Sequence, residues 1–132
     1  MVAIRAPRKH AQLVVTSSNF PGLTFRLTRA RTTIGRDDDN DIVVAHASVS
    51  RHHAAITRER RGYAARDLRS TNGVRVNGNA YGAVALRRGD FIDLGHVRFR
   101  FVAPGERFDF ERDGVITPEP RRAARKGARR SR

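Results

Sequence analysis

The chain has 132 residues, with 27 Lys and Arg against 13 Asp and Glu, and no cysteine. This length predicts one compact domain plus a tail, and 39% hydrophobic residues are enough to build a core. The absence of cysteine excludes a disulfide scaffold, cysteine-ligated zinc, iron–sulfur clusters and thiol nucleophiles. No apolar run approaches the roughly 20 residues of a membrane-spanning helix. No apolar stretch follows Arg5, Arg8 and Lys9 to form a secretory signal. A cytoplasmic protein without membrane insertion is therefore expected.

The net charge of +14 is unevenly spread. Residues 1–10 carry +3 and residues 117–132 carry +6, so the long middle segment holds only +5. Residues 1–10 read as a flexible basic N-terminus. Residues 117–132, rich in Arg and Ala with two prolines and no apolar periodicity, read as a disordered Arg-rich tail.

Between these ends, residues 11–116 are short apolar segments broken by turns. In chain order the predicted strands are Ala11–Thr16, Thr24–Thr28, Thr32–Gly35, Ile42–Val44 and Ala54–Arg58, then Gly62–Asp67, Val74–Val76, Ala83–Leu86, Phe91–Leu94 and Val97–Val102. Strict alternation in the last of these places Val97, Phe99 and Phe101 on one face and Arg98 and Arg100 on the other. Pro21-Gly22, Arg61-Gly62, Asn72-Gly73, Asn77-Gly78, Gly89-Asp90 and Gly95 supply turn chemistry between strands. No segment of helical length repeats apolar residues every 3.6 positions, so the fold class is all-β, a β-sandwich. On such a scaffold binding groups concentrate in the loops at its ends.

Three loop segments hold groups suited to a phosphate: Ile34-Gly35-Arg36, Val49-Ser50-Arg51-His52-His53-Ala54, and Leu68-Arg69-Ser70-Thr71-Asn72-Gly73. The Arg36 fork matches phosphate oxygens bidentately. Ser50, Thr71 and Asn72 offer hydroxyl and amide donors, and exposed loop N–H groups add more. No acid stands within the second or third segment to oppose a bound dianion.

The order Gly35-Arg36, Asn40-Asp41-Ile42, Val49-Ser50-Arg51-x-His53-Ala54, Asp67-Leu68-x-Ser70-Thr71-Asn72-Gly73 and Val76-Asn77-Gly78 resembles the forkhead-associated (FHA) domain. The similarity runs from about Leu13 to Val102. The resemblance implies an eleven-stranded β-sandwich that reads phosphothreonine in partner proteins of Ser/Thr kinase pathways through loops at one end. Carried over by position, Arg36, Ser50, Arg51 and Thr71 contact the phosphate, and Asn72 holds the peptide main chain. Gly35, His53, Gly73 and Asn77 occupy structural positions, with His53 bracing the Ser50 loop. A small pocket for the threonine methyl is implied as well. The loop Ala45-His46-Ala47-Ser48 lacks an arginine that would select an acidic residue beyond the phosphothreonine. Three departures stand out: Val74 replaces a common threonine, His46 a frequent acid, and Arg69 a common small residue, which adds positive charge beside Thr71.

Other chemistries fit less well. Ser50, His53 and Asp67 are the residue types of a nucleophilic triad, but no nucleophile-elbow glycines surround Ser50. Asp37, Asp39 and Asp41 match the first calcium-loop positions. Ile42 and Ser48 then replace the required glycine and glutamate. His46, His52 and His53 lack a metal-ligand spacing, and no cofactor is expected. A non-catalytic adaptor module is the leading expectation. Nucleic-acid binding through the basic ends, with the sandwich as scaffold, is the alternative, although the tail has no aromatic residues to stack on bases.

Overall fold

The computed structural model describes residues 10–17 and 20–114. The expected flexible N-terminus (except His10) and the Arg-rich tail lie outside those residues, and so do the groups on which the nucleic-acid alternative rests. Eleven strands form: β1 Gln12–Val15, β2 Thr24–Arg26, β3 Arg31–Gly35, β4 Ile42–Val43, β5 Ala54–Glu59, β6 Gly62–Asp67, β7 Val74–Val76, β8 Asn79–Tyr81, β9 Ala83–Ala85, β10 Phe91–Leu94 and β11 Val97–Val102. They make a six-stranded sheet in the order β2-β1-β11-β10-β7-β8 and a five-stranded sheet in the order β4-β3-β5-β6-β9. The all-β sandwich expectation holds. Among the described residues no helix is long and apolar enough to cross a membrane.

The core between the sheets follows from the period-two pattern. Leu13, Phe99, Ile92, Leu94 and Val76 from one sheet meet Ile34, Ile56, Ala65 and Val84 from the other, all buried. In β11, Phe99 and Phe101 point inward while Arg98 and Arg100 emerge on the outer face. Both arginines are engaged there. Arg98 forms a forked pair with Asp93 at 2.7 and 3.1 Å, which raises its guanidinium pKa above the ordinary value. Arg100 pairs with Glu106 at 2.7 Å and lies over the Phe108 ring, fastening the chain after β11 to the sheet.

One strand is absent from those the residue pattern predicts, and the others differ at their ends by at most a residue or two. The stretch Asn79–Tyr81 has no apolar alternation, yet it forms the edge strand β8. The Asn77-Gly78 turn makes it. Both residues have positive φ, 51° and 91°, the combination that matches the twist of a two-residue hairpin. Asn77 also fixes the hairpin to β10, since its side chain accepts from Phe91 N–H and donates to the buried Asp90 carboxylate, each at 2.9 Å. Near the C-terminal end a single π-helical turn, Phe110–Gly114, is the only helix among the described residues.

Register decides which loops meet. Ile34, Ala54 and Asp67 are cross-strand neighbours in β3, β5 and β6. The chain therefore leaves β3, enters β5 and leaves β6 at the same end of the sandwich. Strand β4 pairs parallel to β3, which returns the chain to that end before the β4–β5 loop begins. In the other sheet Val74 pairs with Leu94, so the β10–β11 turn at Gly95 joins the same end. Segments that are far apart in sequence thus form one surface.

Candidate functional site

Gly35 closes β3 at a position where a side chain has no room. A Cβ placed there runs into the Arg51 carbonyl oxygen and comes within 2.8 Å of Asn40 Nδ2. This close approach lets the backbone of the β4–β5 loop pack onto the end of β3. Arg36 N–H donates to the Ser50 carbonyl at 2.9 Å, and Asp37 N–H to the Arg51 carbonyl at 3.2 Å. Asn40, 7% exposed, ties the two loops together by donating to the carbonyls of Asp37 and Arg51, both at 2.8 Å. The sequence reading gave Asn40 no individual role. It is a positioning residue for the Asp37 and Arg51 backbones.

The half-buried Arg36 side chain spends one N–H, from Nη1, on the Val49 carbonyl at 2.7 Å. That bond anchors the guanidinium and leaves further donors of its fork on the cleft. Ser50 hydroxyl accepts from Thr71 N–H at 3.0 Å, which joins the β4–β5 loop to the β6–β7 loop. Asn72 Nδ2 donates to the Ser48 carbonyl at 2.9 Å and makes a second joint. Thr71 and Asn72 are themselves exposed.

His53 is fully buried beneath this surface. Its Nδ1 accepts from Ser50 N–H at 3.0 Å, so Nε2 carries the proton and donates to the Gly73 carbonyl at 2.8 Å. Its backbone N–H donates to Ile34 and its carbonyl accepts from Leu68 N–H, both at 2.9 Å. One imidazole therefore locks three segments. The same bonds rule out a Ser50–His53–Asp67 relay, because His53 meets the Ser50 backbone amide instead of its hydroxyl. Asp67 is occupied elsewhere, accepting from the hydroxyl and N–H of Ser70 at 2.6 and 3.1 Å. Ser70 hydroxyl then accepts from Gly73 N–H at 2.8 Å, so the β6–β7 loop is held by its own side chains.

Sequence reasoning also missed a third support. Ser48 is wedged against Gly95, its hydroxyl accepting from His96 N–H at 2.8 Å and meeting His46 Nδ1 at 2.8 Å. A serine and a glycine in two unconnected loops give no local signal of this contact. Likewise, Asp37, Asp39 and His52 bring ligand atoms within 4.8 Å of one another. His52 uses its proximity for a 2.9 Å contact with Asp39.

Together these loops surround an open cleft of about 500 Å³. Arg36, Ser50, Arg51, Thr71 and Asn72 all line it, and no Asp or Glu does. Gly35 and His53 lie beneath it as supports, Gly73 at its margin, and Asn77 away at the β7–β8 turn. The arrangement gathers guanidinium, hydroxyl and amide groups from three loops around one cleft.

Comparison with known proteins agrees with this geometry. The family model described as "FHA domain" matches residues 32–95. The transcriptional regulatory protein EmbR of Mycobacterium tuberculosis is 46% identical over 81 residues, covering 61% of this chain but only 21% of EmbR. A solved structure of EmbR in complex with a low affinity phosphopeptide superposes with a TM-score of 0.69 at 40% identity, covering 76% of this chain and 26% of that one. The oxoglutarate dehydrogenase inhibitor of Corynebacterium diphtheriae is 32% identical over 99 residues, 75% of this chain and 69% of the inhibitor. A structure from work on phosphothreonine-dependent FHA domain interactions has a TM-score of 0.66 at 30% identity, covering 71% of this chain and 96% of the other. The chain thus spans about a fifth of EmbR and more than two thirds of the inhibitor. With the sandwich, the loop cluster and these matches in agreement, the chain belongs to the FHA domain family.

Proposed function

We propose that this chain is a non-catalytic phosphothreonine-peptide-binding module, with residues 11–116 as the binding unit, acting in the cytoplasm as an adaptor in Ser/Thr kinase signalling. One observation carries the reading: donors from three loops converge on an open cleft that no carboxylate lines. A phosphomonoester brings about −1.5 to −2 charges at neutral pH and three strong acceptor oxygens. Arg36 is the chief anchor, since its guanidinium is already oriented by Val49. Ser50, Arg51 and Thr71 complete the phosphate contacts, and Asn72 exchanges its bond to Ser48 for one to the peptide main chain.

Two comparisons support the ligand class. EmbR has been solved with a phosphopeptide, and another FHA structure comes from phosphothreonine-dependent interactions. The relatives include a transcriptional regulatory protein and an enzyme inhibitor, in keeping with a binding role rather than an enzymatic one. Selection of phosphothreonine over phosphoserine rests on one methyl group, worth about 0.8 kcal/mol when buried. The preference is therefore modest unless the methyl also orients the phosphate.

Titration against a degenerate phosphothreonine peptide library tests the reading, with matched phosphoserine and unphosphorylated libraries as controls. Binding above the unphosphorylated library, strongest for phosphothreonine, is expected. Equal retention of all three libraries contradicts the proposal.

A further inference from the structure

We infer that Arg69 builds a second anion subsite beside the phosphothreonine pocket, one that selects peptides carrying another negative group, either an acidic side chain or a second phosphate. The inference rests on the phosphopeptide reading of the cleft and gives it a specificity.

The first observation is backbone strain. Arg69 has φ of 61°, a left-handed conformation that disfavours a residue with a Cβ. The neighbouring bonds impose it. Leu68 N–H is held by the His53 carbonyl, and Ser70 is held by Asp67 through both its hydroxyl and its N–H. With both flanks fixed, the residue between them must turn left-handed, and glycine is the residue that adopts that turn at no steric cost. An arginine there retains a strain that its fold contacts do not relieve. Its side chain is exposed and lines the cleft.

The second observation is charge. Arg36, Arg51 and Arg69 put three permanent positive charges on the cleft, with no lining carboxylate. Among the described residues no carboxylate pairs with Arg51 or Arg69. Of the acids nearby, Asp39 meets His52 and Asp41 meets Arg29 and Thr33, while Asp67, outside the lining, accepts from the Ser70 hydroxyl and N–H. One phosphomonoester neutralises about two of the three charges, and roughly one remains. The β4–β5 side of the cleft contributes Arg51, already assigned to the phosphothreonine phosphate, beside Ala47, Ser48 and His52. With Arg36 and Arg51 on the phosphate, the charge that remains is that of Arg69, on the β6–β7 side. An anion there gains a charge-assisted bond with a planar, always-charged partner.

The test compares three peptide sets built on one phosphothreonine sequence: neutral flanks, a single glutamate placed at each flanking position in turn, and a single phosphoserine placed likewise. Each is titrated against the wild-type chain, Arg69→Gly and Arg69→Lys at low and high salt. Glycine suits the left-handed φ, so Arg69→Gly is expected to melt no lower than wild type. Wild type is expected to favour at least one anion-bearing peptide over the neutral one by about three- to tenfold at low salt, with the preference shrinking as salt rises. Arg69→Gly is expected to lose that preference while keeping its affinity for the neutral peptide, and Arg69→Lys to retain part of it. The glutamate and phosphoserine arms distinguish an acidic side chain from a second phosphate. The subsite is refuted if wild type shows no anion preference, if Arg69→Gly keeps it, or if Arg69→Gly weakens neutral and anionic peptides by the same factor. Those outcomes leave phosphothreonine binding intact. Failure of wild type to bind any phosphopeptide above its unphosphorylated counterpart refutes the phosphopeptide reading and the subsite with it.

Discussion

His53 and Gly73, twenty residues apart, are joined by a 2.8 Å hydrogen bond from the imidazole Nε2 to the glycine carbonyl. On its other side the same ring accepts the Ser50 N–H. The two loops that supply Ser50 and Thr71 are thus held at a fixed separation by a side chain that never reaches the surface. His53→Ala removes both bonds, leaves a buried N–H and C=O without partners, and opens a cavity. A loss of about 2–4 kcal/mol in unfolding free energy is expected from denaturant titration. Phosphopeptide affinity is expected to fall as well, in whatever fraction remains folded.

Gly35→Ala tests the close approach of the β4–β5 loop to β3. The added Cβ meets backbone at Arg51, which cannot swing away as a flexible side chain would. The Arg51 carbonyl must move, and with it the bonds from Asp37 and Asn40. A destabilisation of about 1–3 kcal/mol is expected, together with weaker phosphopeptide binding. A variant as stable as wild type would show that the two loops are not in this contact.

Asp67→Ala removes the acceptor that holds Ser70. A stability loss of about 1 kcal/mol is expected. Because Thr71 and Asn72 follow directly, affinity is expected to fall by more than global stability explains. Faster amide exchange confined to residues 68–73 is the measurement that separates a loosened loop from a loosened fold.

The Glu59 carboxyl is held below its ordinary pKa by the Thr57 hydroxyl and then by Arg66. A carboxylate whose folded value lies below its unfolded value adds stability above the unfolded value and loses it as pH falls through the folded one. Glu59→Gln is therefore expected to melt slightly below wild type near neutrality, with the gap closing on acidification below the usual carboxylate range. The effect is small because the group is exposed. A gap that is constant with pH contradicts the pairing.

Much of this molecule could be read from its residues because the relevant signals are local. Alternation in Val97–Val102 predicts β11 and its two faces, and the left-handed preferences of Asn77 and Gly78 predict their turn. The site residues on the cleft stand in three short motifs whose order resembles a known family, although no single motif specifies the cleft. The rest is set by tertiary contact. Strand β8 exists because a hairpin turn and the edge of a sheet impose it, not because Asn79, Ala80 and Tyr81 alternate. Asn40, Ser48 and Gly95 act through partners in other loops, which no pattern around them announces. The left-handed backbone of Arg69 is imposed by bonds to the residues before and after it, so its type alone would have predicted an ordinary solvated arginine.

The most direct measurement is calorimetric titration of wild type and Arg36→Ala with the strongest-binding phosphothreonine peptide and its unphosphorylated form, beside thermal unfolding of both proteins. Losing an oriented, charge-assisted contact to the phosphate is expected to weaken binding by about ten- to a hundredfold, with no effect on the unphosphorylated peptide, while loss of the bond to the Val49 carbonyl lowers stability by about 1–3 kcal/mol and leaves the protein folded. Equal affinity of wild type and Arg36→Ala, both folded, would contradict the assignment of Arg36 as the phosphate anchor and of the cleft as the phosphothreonine site.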